Sequence, residues 1–355
     1  MINMENNPSI YWPAEWHPQD AVWFSWPHNA GTWGLEGSNI SQIQEHFAKL
    51  TSIISHTQHV CINADESLHQ SILRSLTESN SSLENITLFP HPTNDVWCRD
   101  HGATFVIDTA TNKLRAIDWH FNAWGGKFPP WDLDDAIAQK MARASDSLHT
   151  RSPLFLEGGA IEGNGAGVVI TTEAVALNSN RNPDWSKSMV DQELKSCLGV
   201  EKVFWLPAGI EGDDTDGHID DLTRFVAEDM LVTATEKDAK SADYQILSRN
   251  KEMLQDLRTT TNSSVQIIDL PMPDPLKVDD WRLEHLPASY ANFLILNELV
   301  IVPVFDQPKN DAQALGTLSE CFPDRKVIGF DSRDLVLEGG AIHCISQQQP
   351  SIDKK

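Results

Sequence analysis

The hexapeptide LEGGAI occurs twice in this sequence, at Leu156–Ile161 and at Leu337–Ile342. Two identical hexapeptides so far apart are improbable by chance in a chain of 355 residues. Each copy has a carboxylate, two glycines suited to a tight backbone turn, and an apolar pair typical of a buried strand. The chain is therefore predicted to consist of repeats, with its chemistry where the repeated strands begin and end.

The segments around the two copies repeat one plan of strand, polar turn, strand and helix. Helices are predicted where apolar residues recur at spacings of three and four. The predicted strand pairs are Ala103–Ile107 with Leu114–Trp119, Gly159–Glu162 with Val168–Thr171, Leu222–Ala227 with Met230–Ala234, and Tyr290–Leu296 with Leu299–Phe305, followed by a strand at Ala341–Ser346. The predicted helices are Ile40–Ile54, Leu133–Leu148, Ser186–Leu198, Ala242–Leu257 and Ala312–Cys321.

These segments amount to about five βαβ-like units within one predicted domain, residues 1–355. Periodicity leaves both a solenoid and a closed ring open, but only a closed ring brings distant strand ends together at a central axis. The last residues, Gln347–Lys355, are polar and are predicted to form a frayed tail.

Composition narrows the class of protein. Apolar residues make up 40% of the chain, without a run approaching the roughly 20 consecutive apolar residues of a membrane span. The polar start, Met1–Ser9, lacks an apolar signal region, so we expect a cytoplasmic protein. Five cysteines without a Cys-x-x-Cys pair indicate neither a disulfide framework nor a zinc ribbon.

The strong acidity of the chain indicates its partners. A formal charge of −24 repels nucleic acid and anionic lipid and attracts cations, so a small cationic substrate is the expected partner. Acidity that serves only solubility is the alternative. The sequence leaves open whether the protein forms a homo-oligomer.

Two motifs carry side chains suited to catalysis. Cys344 follows the second LEGGAI copy beside glycines that allow a ligand close to the backbone, although a Cys in an apolar strand is more often a small core residue. In GDDTDGHIDD, His218 and Asp220 are two residues apart, a spacing that puts both on one face of a strand.

Metal binding is the rival interpretation of this acidic motif. A calcium loop centred on Gly217 would begin at Gly212 and end at Thr223, and neither supplies a carboxylate. A zinc or iron site on His218 and Asp220 would need further ligands, and the sequence identifies none at a useful spacing. The thirteen histidines of the chain keep this alternative open, although no metal and no organic cofactor is predicted.

Two further groups gain meaning only in combination. Taken alone, Trp97 in NDVWCRD could be a core indole. Asp100 in the same motif and Glu157 in the first LEGGAI copy could each be a capping carboxylate. Together with a thiol and an imidazole, however, several carboxylates suit attack on a guanidinium group. Guanidinium is planar and cationic, and carboxylates bind it by paired, charge-assisted hydrogen bonds.

Over nearly its whole length the sequence resembles the agmatine deiminase family of the guanidino-group-modifying, or pentein, superfamily, which includes arginine and peptidyl-arginine deiminases. The resemblance implies an α/β fold, a five-bladed pseudo-symmetric propeller of ββαβ-type repeats with the active site on its axis. The motifs that carry it are PAEWHPQDAVWFSWP (13–27), NDVWCRD (94–100), IDWHFNAWGGKFPPWD (117–132), LEGGAIEGNGAG (156–167), LNSNRNP (177–183), DTDGHIDDLTRFV (214–226), LPASYANF (286–293) and IHCISQQQP (342–350).

The resemblance also implies a role for each candidate residue. Cys344 would be the nucleophile and His218 the general acid and base, while Asp100 and Asp220 would bind the guanidinium. As a further carboxylate, Glu157 would order the site. The implied site is completed by Trp97, which would line the channel for the substrate's methylenes.

The sequence departs from the family pattern near the predicted pocket. Family members often have Gly-Gly-Gly-Asn before Ile-His-Cys, where this chain has Glu338-Gly339-Gly340-Ala341, and a common Pro is replaced by Ala103. Glu338 is either a surface charge or an extra anion for a substrate amine. Agmatine is the expected substrate, because Arg99, Arg181, Arg224 and Arg282 are interpreted as structural ion-pair partners and not as carboxylate receptors.

Three alternatives remain open at the level of sequence. The enzyme could act on free arginine or peptidyl-arginine. It could also transfer the amidino group to an amine through the same covalent intermediate. A non-catalytic binder of cationic metabolites is the third alternative, although such a binder has no need of the thiol.

Overall fold

Short strands alternate with helices along the chain. The structure is a computed structural model that describes residues 9–33, 40–276 and 285–352. The strands, in chain order, are β1 (Ile10–Tyr11), β2 (Gln19–Ser25), β3 (Val60–Ala64), β4 (Ile86–Pro90), β5 (Thr104–Asp108), β6 (Lys113–His120), β7 (Leu148–Phe155), β8 (Glu162–Gly163), β9 (Val168–Thr172), β10 (Lys202–Leu206), β11 (Thr223–Ala227), β12 (Met230–Thr235), β13 (Gln266–Pro271), β14 (Leu294–Ile295), β15 (Leu299–Val304), β16 (Lys326–Asp331) and β17 (Ser346–Pro350).

The longer helices are amphipathic and each buries one apolar face. In the first helix, Ile43, Phe47, Leu50 and Ile54 recur at helical spacing and are buried. The helices are α1 (Ile40–Ser55), α2 (His69–Glu78), α3 (Cys98–His101), α4 (Ala123–Gly126), α5 (Ile137–Ala144), α6 (Glu173–Ala176), α7 (Lys187–Leu198), α8 (Asp243–Leu254), α9 (Pro308–Cys321) and α10 (Arg333–Val336). None of these described helices has the length and apolar character needed to cross a bilayer.

Within the described residues, the strands form five sheets of three or four strands. In each sheet two antiparallel strands are followed by a helix and then a parallel strand, as β11 and β12 are followed by α8 and β13. The sheet orders are β17-β2-β3-β4, β1-β5-β6-β7, β10-β9-β8, β11-β12-β13 and β14-β15-β16. The structure thus confirms the predicted ββαβ repeat and the pentein fold.

The ring is closed by pairing of the two ends of the chain. Strand β17 pairs antiparallel with β2, placing Ser346 opposite Phe24 and Gln347 opposite Trp23. In addition, Trp23 Nε1 donates a hydrogen bond to Gln349 Oε1 at 2.9 Å. The predicted frayed tail is therefore wrong for Gln347–Pro350, which form most of β17. Polar composition does not reveal that a segment pairs with a distant strand.

Several predicted strands are shorter than their apolar patterns suggested. Residues Gly158–Ala160 form a 3₁₀ turn, so the predicted strand at 159–162 contracts to β8. The predicted strand Ala341–Ser346 is a turn until Ser346, and Tyr290–Leu296 is a strand only at β14. The helix predicted at Leu133–Leu148 contracts to α5. In the predicted strand segments, apolar residues are buried without strand hydrogen bonds. An apolar pattern predicts burial, and here it did not predict the backbone conformation.

Candidate functional site

Every sheet begins its hairpin just after one or two polar residues that belong to a shared centre. The segments that hold these residues are short turns, such as α3 and the 3₁₀ turn Ile219–Asp221. The residues and the strands that follow them are Asp100 before β5, Glu157 before β8, His218 and Asp220 before β11, Asn292 before β14, and Cys344 before β17. The repeat itself therefore brings at least one functional group from each sheet to the axis.

The thiol of Cys344 lies among polar groups although it is 5% exposed. Asn292 Nδ2 donates to Cys344 Sγ at 3.0 Å, and the thiol lies 3.7 Å from Asp220 Oδ2. Burial raises the pKa of Cys344 well above its ordinary value, and the Asp220 and Asp221 carboxylates raise it further. The raised pKa favours the neutral thiol over the thiolate in these surroundings.

Asp100 is oriented by two donors. Gly159 N donates to Asp100 Oδ1 at 3.1 Å, and Trp124 Nε1 donates to Asp100 Oδ2 at 3.0 Å. The indole reaches it from a left-handed turn in which Trp124 has φ of 55°, a strained conformation for a non-glycine residue. Burial raises the pKa of Asp100 to about 7; His218 opposes the shift and Asp220 adds to it.

The imidazole of His218 is surrounded by carboxylates. Its Nε2 lies 3.4 Å from Glu157 Oε2, while Nδ1 lies 3.7 Å from Asp100 Oδ1 and 4.0 Å from Asp220 Oδ1. Neither His218 Nδ1 nor Asp220 Oδ1 has a hydrogen-bond partner among the described residues. Burial lowers the pKa of His218, but Asp100 and Glu157 raise it by more, to about 10. The ring is therefore an imidazolium at neutral pH.

Glu157 is held in place by a buried ion pair. Arg181 Nε donates to Glu157 Oε1 at 2.8 Å, and both side chains are almost fully buried. Burial raises the pKa of Glu157, but Arg181 and His218 lower it by more, below its ordinary value. Glu157 is thus an anion that orients His218.

A cavity leads from the surface to the thiol. Trp97 forms one wall, supported by Trp33 at 5.8 Å between ring centroids. No Lys or Arg is among the described residues that line the cavity. These residues are Thr32, Asp95, Trp97, Asp100, Trp124, Phe128, Asp214, Thr215, Glu338, Gly339, Gly340 and Cys344. The chamber is consequently aromatic and anionic, which suits a cation with an apolar body.

A metal ion is less well matched to this centre than an organic cation. Ligand atoms of Asp220, Asp221 and Cys344 lie within 4.8 Å of one another. Each already has a donor, however: His343 Nδ1 is 2.7 Å from Asp220 Oδ2, and Asn292 Nδ2 donates to Asp221 Oδ1 and to Cys344 Sγ, both at 3.0 Å. A metal bound through the thiol and these same carboxylate oxygens would compete with these hydrogen bonds.

The structure brings together all the residues that the sequence singled out. Cys344, Asp220, His218, Asp100 and Glu157 form one connected centre, in which Asp220 lies beside both the thiol and the imidazole.

Sequence reasoning missed some of their partners and interpreted three of the four arginines correctly. It assigned no role to Asn292 or Trp124, although both lie inside quoted motifs. As predicted, the three described arginines pair with carboxylates: Arg99 with Glu15, Arg181 with Glu157, and Arg224 with Glu15 and Glu162. Arg282 lies outside the described residues.

A cysteine and carboxylates at the centre of a five-bladed ring define the pentein class of guanidino-group-modifying proteins. The chain belongs to the Porphyromonas-type peptidyl-arginine deiminase family, whose model matches residues 11–350. The agmatine deiminase of Medicago truncatula is 34% identical over 99% of this chain and 100% of its own length.

Solved structures agree with this family assignment. The agmatine deiminase of Enterococcus faecalis superposes with a TM-score of 0.89 at 31% identity, covering 99% of both chains. The agmatine deiminase of C. jejuni, solved with substrate bound, has a TM-score of 0.85 at 31% identity and covers 96% of both chains. The likeness therefore extends over nearly the whole ring.

Proposed function

We propose that this protein is an agmatine deiminase, which hydrolyses the guanidinium of agmatine to N-carbamoylputrescine and ammonia. One observation carries the choice of substrate: the cavity that reaches Cys344 is lined by carboxylates, and none of its described lining residues is a Lys or Arg. Agmatine is a dication without a carboxylate. Arginine would bring its own carboxylate against Asp95, Asp214 and Glu338 without a cation to receive it.

Binding would place the guanidinium between Asp100 and Asp220. Asp220 Oδ1 has no described partner, and Asp100 presents an oxygen held by Gly159. Charge-assisted hydrogen bonds to both carboxylates would hold the guanidinium carbon beside the Cys344 sulfur, which is 3.7 Å from Asp220. Trp97 would cover the methylenes along the channel. The cation would also lower the pKa of the thiol, which would lose its proton to solvent and so become the thiolate.

The first half of the reaction is attack by the Cys344 thiolate on the guanidinium carbon. Binding of the substrate cation disfavours the imidazolium nearby, so the proton that Asp100 and Glu157 hold on His218 becomes transferable. His218 gives that proton to the leaving nitrogen as the carbon–nitrogen bond breaks. Ammonia departs and an amidino group remains bonded to sulfur.

The second half is hydrolysis of that intermediate. His218, now neutral, takes a proton from water, which attacks the amidino carbon. The carbon–sulfur bond then breaks, and the ureido product leaves with the thiol restored. Glu157 keeps the imidazole oriented in both halves through its contact with Nε2. No step of this scheme draws on a metal or organic cofactor.

Ammonia release by the purified protein tests the substrate. We expect turnover of agmatine at least about tenfold faster than turnover of free arginine, because arginine brings a carboxylate into an anionic cavity. Equal rates with arginine would remove the agmatine assignment while leaving a guanidine deiminase.

Mass spectrometry of the protein quenched with agmatine tests the mechanism. An amidino adduct on Cys344 is expected, and its absence under conditions of rapid turnover would contradict covalent catalysis. Adding acceptor amines to the same assay distinguishes hydrolysis from amidino transfer, since transfer would yield a substituted guanidine in place of the ureido product.

A cytoplasmic location is part of the same proposal. All five cysteines are free in the structure, four of them buried, which suits a reducing compartment. Fractionation of the source cells, with a cytosolic marker enzyme as the control, tests it.

A further inference from the structure

A buried chain of charged groups lies behind the site and ends on Asp220. His343 Nδ1 is 2.7 Å from Asp220 Oδ2, and His343 Nε2 is 2.9 Å from Glu15 Oε2. All three side chains are buried. Glu15 belongs to the motif that opens the chain, and His343 immediately precedes the nucleophile, so this contact joins the two ends of the ring.

Glu15 is held as firmly as the group that it contacts. Its Oε1 accepts a hydrogen bond from Ile295 N at 2.7 Å, and its Oε2 accepts one from Arg224 Nη2 at 2.6 Å. Burial raises the pKa of Glu15, but Arg224 and His343 lower it by more, well below its ordinary value. Glu15 is therefore a fixed anion, and it cannot swing away from His343 without breaking several buried hydrogen bonds.

The arrangement determines which oxygen of Asp220 faces the substrate. Oδ2 is occupied by His343, whereas Oδ1 has no partner among the described residues and lies 4.0 Å from His218 Nδ1. A carboxylate with one oxygen held by His343 has a single orientation, in which Oδ2 lies 3.7 Å from the Cys344 thiol and Oδ1 has no described partner. It presents the other oxygen to a guanidinium.

The number of donors on His343 supports the same conclusion. Two carboxylate oxygens face its two ring nitrogens, and only an imidazolium donates to both. Burial, Arg224 and Arg99 lower the pKa of His343, while Glu15 and Asp220 oppose the shift. Because the pKa of His343 is lowered overall, its two short contacts, at 2.7 Å and 2.9 Å, carry the assignment, and the Glu15 anion counteracts loss of the second ring proton.

We propose that Glu15 and His343 are positioning residues for Asp220, and that they fix the orientation in which this carboxylate binds the guanidinium. Neither residue touches the substrate, and both act through Asp220. The proposal rests on the proposed function, because it assigns the guanidinium to Asp220. It also gives a role to the opening motif, which the reaction scheme leaves unused.

The variant Glu15→Gln tests the proposal against Glu162→Gln as a matched control. Glu162 lies in the same buried network and accepts from Arg224 Nε at 2.9 Å, but no hydrogen bond or ion pair joins it to His343 among the described residues. Burial raises the pKa of Glu162 to about 7, so glutamine resembles a form already populated near neutral pH. We expect kcat/KM for agmatine to fall about 10- to 100-fold in Glu15→Gln and less than about threefold in Glu162→Gln.

Two substitutions of His343 distinguish a positioning role from a purely structural one through the ratio of their kcat/KM values. Asparagine keeps a donor near the position of Nδ1 and can still hold Asp220, whereas glutamine reaches towards Glu15 and leaves Asp220 without its donor. His343→Asn is therefore expected to retain at least about fivefold more kcat/KM than His343→Gln, with similar melting temperatures. This pair decides the question if Glu15→Gln fails to fold.

The outcomes separate this inference from the proposed function. Three results would each overturn the positioning role. The first is a kcat/KM of Glu15→Gln equal to that of the wild type, and the second is an equal loss of kcat/KM in Glu15→Gln and Glu162→Gln. The third is a kcat/KM of His343→Asn no higher than that of His343→Gln. Failure of the proposed function appears instead in the wild type, as turnover of arginine and not of agmatine. The same four variants are then compared on arginine, and the expected ranking is unchanged.

Discussion

The two LEGGAI copies have the same six residues and adopt different structures. In the first copy Gly158–Ala160 forms a 3₁₀ turn, and Glu157 is 1% exposed and paired with Arg181. The second copy is a turn that follows α10; there Gly339 has φ of 97°, and Glu338 is half-buried at the cavity wall. One sequence therefore supplies a buried orienting carboxylate in one place and a wall residue in the other.

The difference shows which part of the hexapeptide is used in the same way twice. A Cβ added at Gly159 would lie 2.6 Å from His218 Nδ1, and one added at the equivalent Gly340 would lie 2.5 Å from a ring carbon of Trp97. In both copies this glycine lets a site residue approach the backbone. The carboxylate, by contrast, depends on its tertiary partner, which is Arg181 in the first copy.

The largest expected effect follows from the sulfur beside the second copy. Cys344→Ser should lower kcat by at least about 10⁴-fold, because a hydroxyl in this anionic site is not ionised at neutral pH. Agmatine should still raise the melting temperature, since both guanidinium carboxylates remain. Activity near the wild-type value would show that the nucleophile lies elsewhere.

Removing the charge of Glu157 in the first copy should have a much larger effect than removing the charge of Glu338 in the second. Glu157→Gln is expected to lower kcat about 10²- to 10³-fold, since His218 loses its orienting anion. It should also destabilise the fold by roughly 2–4 kcal/mol, because the buried Arg181 loses part of its charge pairing. Urea unfolding and steady-state kinetics measure the two effects. Glu338→Gln is the matched control, and equal losses in both variants would contradict the distinction.

The shared glycine should respond in the same way in both copies. Gly159→Ala and Gly340→Ala are each expected to lower kcat/KM about 10- to 100-fold, because the added methyl displaces His218 or Trp97. The control is Gly316→Ala in α9, where a Cβ would meet no atom within 4 Å. That change should leave activity unaltered and stabilise the helix by about 0.5–1 kcal/mol. A normal rate in Gly159→Ala would rule out close packing there.

The pH dependence of agmatine binding tests the ionisation of Asp100, which accepts a hydrogen bond from Gly159 of the first copy. Burial raises the pKa of Asp100 to about 7, and only the ionised carboxylate pairs with a guanidinium. Agmatine should therefore bind about tenfold more weakly for each pH unit below 7, and with nearly constant affinity above it. Calorimetry on the Cys344→Ala variant measures this without turnover. A constant affinity between pH 5 and 7 would contradict the raised pKa.

The smallest expected effect belongs to the carboxylate of the second copy. Glu338→Gln should raise KM for agmatine about two- to fivefold and leave kcat unchanged, since a half-exposed charge contributes little against solvent. The same change should narrow the preference for agmatine over arginine. An unchanged KM would make Glu338 a surface charge only.

The sequence predicted the repeat and the reacting groups better than it predicted their surroundings. Short motifs identified Cys344, His218 and Asp100 in the chain, and His218 and Asp100 each precede a strand with a clear apolar pattern, whereas the strand after Cys344 is polar. The pairing of β17 with β2 and the contact between Glu15 and His343 join opposite ends of the chain. No local pattern encodes such contacts, since they depend on closure of the ring.

The environment of the two hexapeptide carboxylates was unpredictable for the same reason. Glu157 and Glu338 have identical neighbours in sequence, and only the fold places Arg181 beside the first. The role of Asn292 was unpredictable as well, because no feature of the sequence distinguishes an amide inside an apolar motif. Only the fold shows that its Nδ2 lies 3.0 Å from the Cys344 sulfur.

The joining of first and last strands has a consequence for the timing of biosynthesis. A ribosome that has completed β16 has already made every carboxylate of the centre, but it has not yet made the sulfur. Chemistry begins only when the final segment docks onto a strand translated near the start, so catalytic competence reports that the whole ring has been assembled.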